Sequence, residues 1–408
     1  MRSMVEGAAT HAFACCRPFH RLSAVPLPRA MRRGGKGIPG GARVKTASER
    51  YAALVRLVES RTVTRVTPPL LLPANPFFDL AGEEFGRQLL LTTTSNGVEY
   101  CLRPDFTLPI AQQYIEDGMI GVPAAYTYLG NIFRQQDGYP VEYEQAGLEL
   151  LGQADAGNAL DQVLTFARWA LAIYDITSPE IRLGGVGLFE KFLEAAEVPA
   201  AWQARIRHRF GHIEAMNRLM ERLADPEARA SGEAPDARET VIEIVTDSML
   251  SAGLSLIGSR APEEIADRYL EKQALDAHRI PERTVHLLQE YLSIAEPAQD
   301  AFDHIGAMCR AHGFDFDEPL YEVRTHAAAL AALSPNADVI FDASFSPRLD
   351  YYTGIVFEMT GIDGDILASG GEYDRLLDRL GATEPVTASG CALWGERLEA
   401  EAQRLAQV

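Results

Sequence analysis

The stretch 126–152 gathers residue types that could hold a zwitterion. It reads as a run of β-formers at 126–133, a polar loop carrying Asp137, Gly138 and Pro140, and a return run with Glu142, Glu144, Gln145, Leu148, Glu149 and Leu150. The loop residues are turn formers, so the two runs predict an antiparallel pair. Such a pair would hold Arg134 from one strand near Gln145 and Glu149 on the other. A guanidinium suits a carboxylate or phosphate, while a carboxylate beside an amide suits an ammonium group. The plainer reading is an ordinary half-buried hairpin with solvated charges. Elsewhere, His208 and His212 stand four apart in a helical pattern, a spacing that could place both on a metal. No HExxH pattern surrounds them, and Arg205, Arg207 and Arg209 crowd them with positive charge. No metal and no cofactor is expected.

The chain that must position these groups has 408 residues, 47% of them hydrophobic and 23% charged. That is a globular composition with room for a substantial core and for two or three domains. No apolar run approaches the ~20 residues that a bilayer crossing needs, so no membrane association is expected. Five cysteines (Cys15, Cys16, Cys101, Cys309, Cys391) are scattered, with no metal-ligand spacing beyond the adjacent pair. This fits a reducing, cytoplasmic setting. Net charge is −19, yet residues 1–45 carry nine Lys or Arg against Glu6 alone, a net of +8, which leaves −27 on the remainder. So acidic a body is a poor match to nucleic acid. The Gly-, Pro- and Arg-rich segment 1–45 has the composition of an organelle-targeting peptide. It is read here as a disordered tail or a start placed too far upstream, Met4 and Met31 being further candidates, and is set apart from the fold.

From Ser48 onward the periodicity becomes regular. Tyr51, Leu54, Val55 and Val58 mark one face of an amphipathic helix. A strand is expected at 62–66, ending at Pro68-Pro69. Strands at 89–94 and 98–102 are joined by Ser95-Asn96-Gly97, a hairpin signal. A helix at 110–115 follows, capped by Thr107. A clear helix spans 158–175 and a short strand 181–183. The pattern from 187 to 335 is helical throughout, interrupted at Asp225-Pro226 and by a surface loop at 231–236. Strands return at 339–345 and 366–368, and a last strand passes into a helix near Gly395. Strands on both sides of a helical block predict an α+β fold: a mainly antiparallel sheet flanked by helices, with a helical insertion. Residues 46–186 and 336–408 would form the core domain and 187–335 the insertion.

Four stretches taken together resemble the catalytic core of the class II aminoacyl-tRNA synthetases, specifically the histidyl-tRNA synthetase family. Leu-Arg-Pro-Asp-Phe-Thr at 102–107 is similar to that family's Leu-Arg-Pro-Glu-Gly-Thr loop. Phe133-Arg134 and Gln145-Ala-Gly-Leu-Glu149 resemble its second motif, and Gly390 to Leu398, with Glu396-Arg397, its third. Leu-Asp-Tyr-Tyr-Thr-Gly at 349–354 matches the histidine-specific motif almost letter for letter. The resemblance implies a histidine pocket. Asp105 and Thr107 would take the α-ammonium with Gln145 and Glu149 beside them, Tyr351 and Tyr352 would flank and hydrogen-bond the imidazole, and Arg134 would lie near the carboxylate. The alternative for the two tyrosines is core packing of a β-strand.

The departures from the family bear on activity. Where active synthetases have Phe-Arg-x-Glu, with the Glu seating adenine, this chain has Gln136. Where they have Arg-Gly ahead of Leu-Asp-Tyr-Tyr, it has Pro347-Arg348, and an arginine shifted by one residue along a strand points to the opposite face. Losing that cation removes preorganised stabilisation of developing negative charge. Their Gly-Gly-Arg-Tyr-Asp reads Gly-Gly-Glu-Tyr-Asp here, with Glu372 reversing a charge. Only a short helix follows the third motif, so an anticodon-reading domain and a tRNA partner are not expected. The combination resembles the synthetase-like regulatory subunits of ATP phosphoribosyltransferase. That implies a non-catalytic chain that self-associates as a dimer and joins a short-form catalytic subunit in a hetero-octamer, with L-histidine as feedback effector. A truncated histidine-activating ligase and a histidine sensor for translation control are the competing readings.

Overall fold

The computed structural model describes residues 45–407, apart from 61–62, 81–82, 96, 225–237, 239–240, 243–244, 246–264, 268, 271–279 and 348–350. Residues 1–44 of the expected 1–45 tail, with Cys15 and Cys16, the Asn96 turn residue, the interruptions at Asp225 and 231–236, and Arg348-Leu349-Asp350 lie outside the described residues.

Nine strands form one sheet: β1 (Thr64–Arg65), β5 (Ala124–Phe133), β6 (Glu142–Leu151), β7 (Glu180–Gly185), β8 (Ala295–Pro297), β9 (Val339–Asp342), β10 (Ile355–Thr360), β11 (Ile366–Glu372) and β12 (Ala388–Trp394). Their order is β1-β5-β6-β12-β11-β10-β7-β9-β8, and every neighbouring pair from β5 to β7 is antiparallel. Only β1 with β5 and β7 with β9 run parallel. A separate three-stranded sheet holds β2 (Leu71–Pro73), β4 (Glu99–Leu102) and β3 (Leu91–Thr93), in that order. The α+β architecture expected from the sequence is the one observed. A correction falls within 187–335, expected to be helical throughout: Ala295–Pro297 is a strand there, paired with β9 at the sheet edge. A three-residue strand is too short to leave a period-2 signal between helical runs.

The large sheet separates two apolar clusters, because successive side chains on a strand point to opposite faces. On β6, Ala146, Leu148 and Leu150 join the cluster under the helices, whereas Tyr143 and Leu151 join the one on the other face. The helix Ala156–Ile173 covers the first face, packing on β6, β11 and β12. Its start is fixed by Asp155, whose carboxylate accepts from the Asn158 N–H at 3.0 Å. Leu160, Val163, Leu164, Ala167 and Leu171 give it a continuous buried stripe. The helix Thr107–Glu116 covers the second face, with Leu108, Ile110, Ala111 and Tyr114 buried. Its expected Thr107 cap is not formed. Phe106 is the cap residue, and the Asp105 carboxylate accepts from the Leu108 N–H at 3.3 Å, leaving the Thr107 hydroxyl free for another bond.

The first helix, Ala47–Val58, buries Leu54 and Val58 as its pattern predicts, but Arg50 is buried and Tyr51 is exposed. Arg50 donates to both carboxylate oxygens of Glu399, on the helix Gly395–Leu405, at 2.9 and 2.5 Å. A guanidinium with a two-point carboxylate partner can be buried where an unpaired one could not.

Candidate functional site

The floor of the site is where β6 and β12 lie side by side. Their register sets Gln145 opposite Trp394 and Glu149 directly opposite Gly390. A Cβ on Gly390 would occupy the position of the Glu149 carboxylate, so the glycine is what leaves that acid its space. Gln145 and Glu149 share the face covered by the Thr107–Glu116 helix and are 2% and 1% exposed. Glu144 points the other way, where Tyr51 donates to it at 3.1 Å. The polar residues of the return strand therefore divide between its two faces.

Around this floor the chain brings in residues from distant segments. Asp105, Thr107, Arg134, Gln145, Tyr351 and Tyr352 line one cavity of about 50 Å³, with Ser369, Tyr373, Gly390, Cys391, Ala392 and Trp394 completing it. Glu149 sits just beneath, accepting a 2.7 Å hydrogen bond from the Thr107 hydroxyl and a short one from the Tyr373 hydroxyl. All seven residues singled out from the sequence thus meet at one place. They do so by a route the hairpin alone does not supply. Phe133 pairs with Glu142 while Gln145 pairs with Gly130, so Arg134 lies at the far end of the hairpin and its side chain must reach back.

Arg134 is anchored for that reach: its Nε donates to the Pro104 carbonyl at 2.6 Å and its guanidinium lies 4.7 Å from the centre of the Phe85 ring. Tyr351 and Tyr352 precede β10 instead of lying within it, and both pack against the second apolar cluster as well as lining the cavity. Their ring centres are 5.0 Å apart, and Tyr351 meets Tyr373 edge-on at 5.7 Å. Arg348, just before them, lies outside the described residues.

The electrostatics follow from burial. Desolvation pushes the Glu149 carboxyl up to about 8, against the hydrogen bonds from Tyr373 and Thr107 that favour its ionised form; the Asp105 charge raises it further. Burial also raises Asp105, with the Arg134 guanidinium pulling in the opposite direction. Three buried polar atoms of the lining have no hydrogen-bond partner among the described residues: Asp105 Oδ2, Gln145 Oε1 and Trp394 Nε1. Each such orphan costs about 1–3 kcal/mol unless something completes it. Two acceptors, one donor, an anchored cation and an aromatic wall make a site chemically suited to a small molecule carrying both charges.

Tyr373, Ser369 and Trp394 were missed by sequence reasoning. Tyr373 was within sight, in the same Gly-Gly-Glu-Tyr-Asp run as Glu372. Glu372 itself takes no part in the lining. Its carboxylate accepts from the Ile355 N–H at 2.8 Å and fills the space over Gly354, and burial pushes it up to about 7. Gln136 donates to the Gln88 side chain at 3.1 Å. His208 and His212 do not share a helix face, because the helix Ala200–Arg207 ends before them and Gly211 turns the chain at φ +82°.

Comparison with known proteins places this geometry among relatives. The family described as histidyl-tRNA synthetase matches residues 41–240 and 264–398. A protein named ATP phosphoribosyltransferase regulatory subunit from Rhizobium rhizogenes is 36% identical over 361 residues, covering 85% of this chain and 95% of that protein. One of the same name from Agrobacterium fabrum is 36% identical over 351 residues, covering 84% and 93%. Among solved structures, an ATP phosphoribosyltransferase regulatory subunit/histidyl-tRNA synthetase from Bacillus halodurans superposes with a TM-score of 0.56 at 20% identity, covering 90% of this chain and 83% of that one. A histidine–tRNA ligase subunit from Alicyclobacillus acidocaldarius gives 0.52 at 21% identity, covering 92% and 99%. These two structures bear on the fold.

Proposed function

Because the chain belongs to the histidyl-tRNA synthetase-like family, and within it to the ATP phosphoribosyltransferase regulatory subunits, we propose that it is the non-catalytic, histidine-binding partner of a short-form catalytic subunit. In this reading it acts in the cytoplasm, self-associates as a dimer, and joins the catalytic subunit in a hetero-octamer. It supports the first step of histidine biosynthesis and carries feedback inhibition by L-histidine; tRNA has no part in it. The observation that carries the reading is the convergence of Asp105, Glu149, Gln145 and Arg134 on one small cavity walled by Tyr351 and Tyr352. The ammonium of histidine lies toward Asp105, Thr107 and Glu149, its carboxylate toward Arg134, and its imidazole against the tyrosines. Buried acceptors of fixed position reject analogues that lack the matching donors more strongly than an apolar pocket can.

Feedback then follows from linkage. Histidine inhibits only if it binds the less active assembly more tightly than the active one. Two experiments test the proposal. The purified chain should capture a short-form ATP phosphoribosyltransferase and raise its turnover, and calorimetric titration with L-histidine should show saturable binding weakened by Tyr352→Phe. A catalytic subunit indifferent to the chain would end the proposal. Histidine-dependent ATP–pyrophosphate exchange by the chain alone would identify a ligase instead.

A further inference from the structure

The two tyrosines of the cavity wall belong to a segment that is tied down immediately after them, from two sides. Thr353, next after Tyr352, donates its N–H to the Glu372 carbonyl at 2.8 Å, and its hydroxyl accepts from the Asp374 N–H at 3.1 Å. Just beyond the last β10–β11 pair, Val356 with Gly371, the Ile355 N–H goes to the Glu372 carboxylate at 2.8 Å. On the other side, the Gly354 carbonyl accepts at 2.9 Å from the Val186 N–H, the first of the helix Val186–Ala195 and without a partner inside that helix. Gly354 leaves room for the arrangement, since a Cβ there would fall on the Glu372 carboxylate. The ring of Tyr373, between Glu372 and Asp374, meets Tyr351 edge-on.

The Glu372 carboxylate is the tie particular to this sequence. Where the synthetases' Gly-Gly-Arg-Tyr-Asp run has an arginine, this chain has an acid, and a guanidinium carries donors only, so it could not accept from Ile355. We infer that Glu372, which does not line the cavity, is the positioning residue for its aromatic wall: by clasping the backbone from Thr353 to Ile355 it holds Tyr351 and Tyr352 where the amino acid meets them, and so sets the affinity of the pocket. A segment already held in its binding conformation spares the cost of ordering it when the ligand arrives. The inference rests on the reading of the cavity as a histidine pocket and adds what keeps that pocket in shape.

The test uses the full chain, calorimetry with L-histidine, and amide hydrogen exchange of residues 351–355 read by mass spectrometry. Glu372→Ala removes the acceptor, Gly354→Ala displaces the same carboxylate from the opposite side, and Glu372→Gln keeps an acceptor of equal reach. Glu372→Ala and Gly354→Ala should each weaken histidine binding by about tenfold, the worth of one buried hydrogen bond. Both should speed exchange at 351–355 while β5, β6 and β12 stay protected, which shows that the variants fold. Glu372→Gln should keep the protection and bind histidine within about threefold of wild type. Unchanged histidine affinity in a folded Glu372→Ala, the result a merely structural contact would give, overturns the inference, as does a Glu372→Gln that binds as weakly as Glu372→Ala. Failure of wild type to bind histidine overturns the amino-acid reading separately. The exchange arm then still judges the clasp, and unchanged exchange in Glu372→Ala overturns it.

Discussion

At the scale of the residue, Glu149 sets the pH behaviour of the site. Its folded pKa of about 8 lies above the 4.5 of an exposed glutamate, so between those values the folded chain binds more protons than the unfolded one. Stability from this group is therefore greatest below pH 4.5, declines as pH rises through the window to about 8, and is constant above it. In wild type, urea unfolding should lose on the order of a few kcal/mol across that window from this group, and Glu149→Gln should lack that component. An ammonium bound beside Glu149 favours its ionised form. Histidine uptake near neutral pH should thus release a proton, seen as a binding enthalpy that changes with the ionisation enthalpy of the buffer. The same substitution should weaken histidine binding by about ten- to a hundredfold, the cost of one hydrogen bond to a charged group. Uptake with no proton release at pH 7 would exclude Glu149 as the ammonium's partner.

At the scale of the element, the central strands are pressed together by residues that have no side chain. Gly147 stands opposite Tyr128 on β5 and Ala392 on β12. A Cβ there would meet the Tyr128 hydroxyl and the backbone oxygen of Cys391. Backbone cannot move aside as a flexible side chain can, so Gly147→Ala should cost about 1–3 kcal/mol in urea unfolding. A neutral result would mean that the β5–β6–β12 packing is looser than described. Arg50→Ala should cost a similar amount, about 2 kcal/mol, by stranding Glu399 between two helices. The Ala156–Ile173 helix and the β5–β6 pair were legible in the sequence because their apolar periods are long. The burial of Arg50 was not, since its partner lies 349 positions away. Nor was the division of Glu144 from Gln145, which depends on which face of β6 the helices cover.

At the scale of the whole molecule, the proposed regulation is a coupling between two chains and must be reciprocal. If histidine disfavours the active assembly, phosphoribosyl pyrophosphate and ATP bound at the catalytic subunit should weaken histidine binding to this chain. The expected change is about 5- to 150-fold, corresponding to ~1–3 kcal/mol of coupling. Calorimetry on the assembled complex, with and without those substrates, measures it. Equal affinities would leave histidine bound but not regulatory. Among the described residues no helix is long and apolar enough to cross a membrane.

The sequence by itself determined the kind of fold, the family, and the seven side chains that meet at the cavity, because those follow from local periodicity and from short motifs carried at fixed spacing. The tertiary structure alone decided how they meet. It set Glu149 beneath Thr107 and Tyr373, recruited Trp394 and Ser369 to the lining, and engaged Arg397 with two rings. Each of these depends on strand register and on contacts across hundreds of positions. Burial and pairing of that kind exist only once the sheet has closed.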